Sequence, residues 1–187
     1  MASQEPDATF ARVAPGAWDA AMLAGIIRWK NKPQARRWCR QTHTTGGTVH
    51  AMTVSPDGSR LAHVAGSWSK VVVRDFQTGF VVLELSGHLD GLTSVSWNND
   101  GTKLASGSDD DTVKVWDPTT GECLWTLTGH QAGVSSVHFS PDGTRLVTGS
   151  YDKTVKIWNP ATGEELCQLR GDRYVLFPIF FFDFRPV

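Results

Sequence analysis

The chain has 187 residues, enough for one domain with a sizeable core, and carries a net charge of −1 with 20% charged residues. That balance supplies no overall field to draw the protein to nucleic acid or anionic lipid. No run of 18 apolar residues occurs, so no membrane-crossing helix is expected, and Met1 to Asp7 lacks the basic-then-apolar pattern of a secretory signal. The three cysteines, Cys39, Cys123 and Cys167, include no close pair. They suggest neither a disulfide framework nor a zinc site, and read as buried, reduced thiols of a cytoplasmic or nuclear protein.

Residues 1–24 are predicted to be a disordered or helical N-terminal segment. Residues 25–45 admit two readings. Gly25 to Trp29 aligns with Thr112 to Trp116, and Arg36 to Arg40 falls where a further strand would follow, which makes half of a repeat unit. Alternatively, Trp18, Met22, Ile26 and Trp29 form the apolar stripe of an amphipathic helix across Ala17 to Trp29. Beyond this point a period takes over. Gly87 and His88 recur as Gly129 and His130, while Asp75, Asp117 and Asn159 fall 42 residues apart, as do Gly79, Gly121 and Gly163. The pairs Asp57–Gly58, Asp100–Gly101 and Asp142–Gly143 are spaced 43 and 42. Self-similarity at about 40–45 residues, with four strands per unit, is the signature of a propeller blade.

The three units are 46–86, 87–128 and 129–170. In the last, Gly133 to Phe139 interleaves Val134, Val137 and Phe139 with polar residues and reads as strand a. Ser140, Pro141, Asp142 and Gly143 make a hairpin turn. Arg145 to Ser150, Thr154 to Trp158 and Glu164 to Leu169 read as strands b, c and d. The middle unit repeats them at Leu92 to Trp97, Lys103 to Ser108, Thr112 to Trp116 and Glu122 to Leu127. The first unit is looser, at Val49 to Val54, Arg60 to Val64, Lys70 to Phe76 and Phe80 to Leu85. It lacks Gly-His, and Arg74 replaces the strand c tryptophan. Every connection is short, so neighbouring strands must be antiparallel.

Residues 171–187 form an aromatic tail. Five of the nine phenylalanines lie there, and Leu176, Ile179 and Phe181 keep the strand a offsets of Val134, Val137 and Phe139. The repeat is then cut short, as in a truncated splice form or gene-model fragment, and the apolar run carries an aggregation risk.

Gly129–His130, the turn Ser140 to Gly143, Asp152, and Ile157, Trp158 and Asn159 together resemble a WD repeat. The resemblance is close in two units, partial in the first, and covers about two-thirds of the chain. It implies an all-β fold, a partial, open propeller of roughly three four-stranded antiparallel blades. It also implies a non-enzymatic protein-interaction scaffold or adaptor subunit of a multiprotein complex. Carried over residue by residue, the hydrogen-bonded tetrads of that family are His88, Ser106, Asp110 and Trp116, then His130, Thr148, Asp152 and Trp158. Physical accounting agrees, because a buried imidazole must spend both nitrogens and a buried indole N–H needs an acceptor. The first unit offers no such set and should be the weaker blade.

A His, a Ser and an Asp in one unit invite a hydrolase reading. The trio recurs at the same offsets in the next unit, which argues for structure, so no catalytic residue is assigned. No phosphate-cradling loop is present, no cofactor is implied, and the run Asp109, Asp110 and Asp111 lacks the ligand spacing of a calcium loop, so no metal is expected either. The segment 28–40 interleaves Arg28, Lys30, Lys32, Arg36, Arg37 and Arg40 with Trp29 and Trp38, a mixture suited to nucleic acid, RNA in particular. A further alternative is the sensor region of a larger signalling ATPase. Partner-binding candidates are Trp68, Leu89, Asp90, Asp109, Gln131, Tyr151 and Lys153, on the d–a and b–c connections. Expected partners are other proteins, with self-association through open propeller edges and no membrane.

Overall fold

Among the described residues, short apolar–polar alternations broken by Gly- and Pro-containing turns fold into twelve strands. These are β1 (Val49–Val54), β2 (Arg60–Ala65), β3 (Lys70–Asp75) and β4 (Val81–Ser86); β5 (Leu92–Trp97), β6 (Leu104–Ser108), β7 (Val113–Trp116) and β8 (Cys123–Leu127); and β9 (Val134–Phe139), β10 (Leu146–Ser150), β11 (Thr154–Trp158) and β12 (Glu165–Arg170). The structure, a computed structural model, describes residues 49–65 and 69–171. The N-terminal segment 1–24, the half-blade or helix of 25–45, the basic segment 28–40, Cys39, Trp68 and the tail beyond Gly171 lie outside the described residues.

The strands form three four-stranded antiparallel sheets in the orders β1-β2-β3-β4, β5-β6-β7-β8 and β9-β10-β11-β12. These are blades 1, 2 and 3. The class is all-β, and no helix among the described residues is long and apolar enough to cross a membrane. Strand ends differ from the sequence reading by one residue in places. The expected strand Phe80 to Leu85 is Val81–Ser86, because Asp75 N donates to Phe80 O at 3.0 Å and keeps Phe80 in the turn. The expected strand Glu164 to Leu169 is Glu165–Arg170 for the same reason, with Asn159 N donating to Glu164 O at 2.9 Å. In each blade the pairing of strands c and d slips at one place: between Val73 and Arg74, Val115 and Trp116, and Ile157 and Trp158. A bulge repeated at equivalent positions bends the outer strand in the same sense each time.

Two apolar layers hold the blades together. Ala62, Val64, Val71, Val73 and Leu85 of blade 1 meet Leu92, Val95, Trp97, Leu104 and Trp116 of blade 2. The opposite side of blade 2, with Ala105, Val113, Val115 and Leu127, meets Val134, Val137, Leu146 and Trp158 of blade 3. Each sheet is thus buried on two sides where a neighbour exists, which explains why the inner strands read as β-branched runs. Gly107 shows how close the approach is. A Cβ there would lie 2.6 Å from Val137 Cγ2 and 2.7 Å from Val134 Cγ1, so only glycine lets β6 and β9 pack at this spacing. Hydrogen bonds also cross between blades: Thr93 Oγ1 donates to Val134 O, and Val137 N donates to Ser94 Oγ at 3.2 Å.

Candidate functional site

The polar groups of blade 2 converge beneath the β4–β5 loop. His88 enters from that loop, Ser106 from the middle of β6, Trp116 from the end of β7, and Asp110 from the β6–β7 turn. Trp116 Nε1 donates to Ser106 Oγ at 2.8 Å. Ser106 Oγ lies 2.9 Å from His88 Nε2, and His88 Nδ1 lies 2.9 Å from Asp110 Oδ2. A single proton order satisfies every member: indole to hydroxyl, hydroxyl to imidazole, imidazole to carboxylate. Asp110 then anchors the surface, taking the Leu89 amide at 2.8 Å on Oδ2 and the Thr112 hydroxyl at 2.6 Å on Oδ1. Blade 3 repeats the arrangement. Trp158 Nε1 donates to Thr148 Oγ1 at 2.9 Å, Thr148 Oγ1 is 2.8 Å from His130 Nε2, and His130 Nδ1 is 3.0 Å from Asp152 Oδ2. Gln131 N and Thr154 Oγ1 complete the Asp152 shell at 2.9 and 2.6 Å.

Electrostatics follow from burial. Both imidazoles are pushed below the usual histidine range, because desolvation of the ring outweighs the adjacent carboxylate. They are neutral in the folded protein. Desolvation acts to raise the Asp110 carboxyl, but hydrogen bonds from Thr112, Leu89 and His88 outweigh it and hold the group at about 2. Asp152 is held well below the usual carboxylate range by the same balance. The Ser–His–Asp order is therefore a buried lock. Ser106 and Thr148 have no solvent exposure, and each hydroxyl already bridges an imidazole and an indole, so neither can reach a substrate.

Blade 1 fills the same place differently. Here Arg74 Nε donates to His63 Nε2 at 3.0 Å, and Arg74 Nη1 donates to Gly79 O at 3.0 Å. His63 stands 43 residues before Ser106, and Arg74 stands 42 before Trp116. Sequence reasoning saw the missing Gly-His and the missing tryptophan but overlooked this pair, although the repeat offset pointed to it. The thiols were also misjudged. Cys123 and Cys167 are exposed, because β8 and β12 are the outer strands of their sheets, with no strand beyond them among the described residues.

The d–a loops and b–c turns lie at one end of the sheets and are bonded to each other. Asp109 N donates to Gly91 O at 2.8 Å, and Tyr151 N donates to Gly133 O at 3.0 Å. A Cβ at Gly133 would lie 2.8 Å from Asp109 Oδ1 and 3.3 Å from Tyr151 Cδ2, so the turns of blades 2 and 3 meet over this loop. Leu89 is 93% exposed, and Asp90, Asp109, Gln131, Tyr151 and Lys153 are exposed beside it. Burial, then the neighbouring Asp90, Asp111 and Asp110, raises the Asp109 carboxyl. Asp111 and Lys153 occupy equivalent turn positions at φ 67° and 68°, a left-handed conformation that the sequence did not reveal. Among the described residues, no group of three or more His, Cys, Asp or Glu side chains could hold a metal ion.

The family described as WD domain, G-beta repeat matches residues 79–117 and 121–159. WD repeat-containing protein 1 of Xenopus tropicalis is 44% identical over 72 residues, covering 37% of this chain. The intraflagellar transport protein 122 homolog of the same organism is 30% identical over 94 residues, covering 50% of this chain. The matches span only 12% and 7% of those two proteins' lengths. A solved structure described as RRP9 WD40 repeats superposes with a TM-score of 0.66 over 72% of this chain and 41% of that one, at 24% identity, which shows the fold. Two units matched by the family's own pattern, and the blade fold around their hydrogen-bonded tetrads, support a WD-repeat family for this chain.

Proposed function

We propose that this chain is a non-enzymatic scaffold that binds another protein at the end of blades 2 and 3 formed by the d–a loops and b–c turns. The observation that carries this reading is how those loops are held. Asp110 and Asp152 each accept an amide of the d–a loop that opens their own blade, so Leu89 and Gln131 project from fixed backbone rather than from a floppy connection. A preorganised surface loses less entropy on binding. Leu89 and Tyr151 supply apolar anchors, and Asp90, Asp109 and Asp111 surround them with acidity, a composition suited to a partner segment that carries an apolar side chain next to Lys or Arg.

Immobilised full-length chain, incubated with cell extract and analysed by mass spectrometry, should capture a reproducible protein partner. Leu89→Ala combined with Tyr151→Ala should reduce capture about tenfold or more while leaving the melting transition in place. Capture that survives this double change, or a turnover activity abolished by a single point substitution, would overturn the proposal.

A further inference from the structure

Blades 2 and 3 carry a lysine at the same point of strand c, yet only one of the two lysines meets a carboxylate. Lys156 Nζ donates to Glu165 Oε2 and to Gln168 Oε1 of β12, each at 2.7 Å. By the repeat offset, the equivalents in blade 2 are Lys114, Cys123 and Thr126. Cysteine thus stands in place of the carboxylate, and threonine in place of the amide. Lys114 Nζ donates to Thr126 Oγ1 at 2.8 Å and, among the described residues, pairs with no acid. The ammonium keeps its charge without the anion that blade 3 supplies.

Thr126 also differs from the exposed hydroxyls of the turns. Ser59, Thr102, Thr144 and Thr162 each donate to a carboxylate of their own turn, at Asp57, Asp100, Asp142 and Glu164. A phosphate on any of them would be set against a like charge. On Thr126 it would be set against an ammonium, which offers a charge-assisted hydrogen bond. Access is favourable as well. Thr126 is exposed on β8, the outer strand of its sheet, with no strand beyond it among the described residues.

We propose that Thr126 is a phosphorylation site, with Lys114 as the cation that holds the phosphate. A protein kinase supplies the chemistry, with ATP as donor. Thr126 Oγ1 attacks the γ-phosphorus, the bond to the bridging β,γ-oxygen breaks, ADP leaves, and the hydroxyl proton passes to a base of the kinase. The added group carries about −1.5 to −2 of charge at neutral pH. It does for β7 and β8 what Glu165 does for β11 and β12, tying the outer strand to its neighbour through a lysine. Thr126 lies on an outer strand, apart from the d–a loops and b–c turns, so this site and the proposed docking end stand or fall independently.

Purified full chain, incubated with radiolabelled ATP and a eukaryotic cell extract, should take up phosphate on the tryptic peptide Val115–Arg145, with fragment ions placing it on Thr126. Thr126→Ala should abolish the label on that peptide, and Thr128→Ala should leave it in place. A second measurement reads the cation. In full chain carrying phosphothreonine at position 126, the phosphorus NMR signal should titrate below the usual second phosphate pKa of about 6, because Lys114 favours the dianion. Lys114→Met should return the titration to about 6, and Lys114→Arg should keep it low. A chain left unlabelled at Thr126, or a phosphate whose titration ignores Lys114→Met, would overturn the proposal.

Discussion

Blade 1 and blades 2 and 3 share strand order and the bulge on strand d, yet they lock their interiors with different chemistry. In blades 2 and 3 four side chains pass hydrogen bonds from indole to carboxylate and leave no member unpaired. In blade 1 two side chains do the work. Arg74 Nε donates to His63 Nε2, so the imidazole carries its own proton on Nδ1, and that buried atom has no partner among the described residues. An unsatisfied buried donor costs roughly 1–3 kcal/mol. The backbone pattern therefore survives loss of the tetrad, while local stability need not. Apolar layering against blade 2, which buries Ala62, Val64, Val71 and Val73 completely, carries the first blade.

The largest test of this contrast is Trp158→Ala. It removes a large buried side chain together with its hydrogen bond to Thr148, and should cost about 3–5 kcal/mol in a denaturant titration. Asp152→Ala strands His130 and releases the Gln131 amide, and should cost roughly 1–3 kcal/mol. In blade 1, Arg74→Ala leaves both nitrogens of His63 unpaired and should also cost about 1–3 kcal/mol. Hydrogen exchange should place that loss in β1–β4 and leave β9–β12 protected. Equal loss of protection in all three sheets would mean that the blades do not hold their locks separately.

Acidification should separate the blades as well. His63 is held below the ordinary histidine value of 6.5, first by burial and then by the Arg74 cation. His88 and His130 are lowered by burial too, but Asp110 and Asp152 partly offset the effect. Below pH 6.5 the unfolded chain takes up protons that the folded imidazoles refuse, so stability falls as pH drops. With a cation rather than a carboxylate beside its histidine, blade 1 should lose exchange protection first. A second loss should follow below pH 3.8, as Asp110, held at about 2 in the fold, gives up its advantage over the unfolded carboxyl. If β9–β12 opens before β1–β4 on titration from neutral pH, the contrast is wrong.

The smallest effect concerns the b–c turns. Lys153 sits at φ 68°, where glycine is at ease and lysine is strained. Lys153→Gly should change stability by less than about 1 kcal/mol, in the stabilising direction, as read from the melting midpoint.

Much of this architecture was legible from the period alone. Strands β1, β5 and β11 begin and end where alternation and turn residues place them, β9 begins one residue later than expected, and the offsets of 18, 22 and 28 residues from His88 lead directly to Ser106, Asp110 and Trp116. What escaped depends on information that a pattern does not hold. The His63–Arg74 pair needs the cross-strand register of β2 and β3. The exposure of Cys123 and Cys167 depends on β8 and β12 being outermost. The left-handed turns at Asp111 and Lys153 break the expectation that a non-glycine residue avoids positive φ.

The span of the polar lock along the chain carries a consequence for how the molecule is made. Every hydrogen bond of a tetrad joins residues no more than 22 apart, whereas the bonds that tie blade 2 to blade 3 join residues 41 and 43 apart. Contacts of short sequence separation close with a smaller loss of chain entropy and form sooner. As residues emerge during synthesis, each sheet can secure its own histidine before the next sheet exists to lean on it. Assembly then runs outward from the first blades in chain order, with each new blade added to a neighbour that is already set.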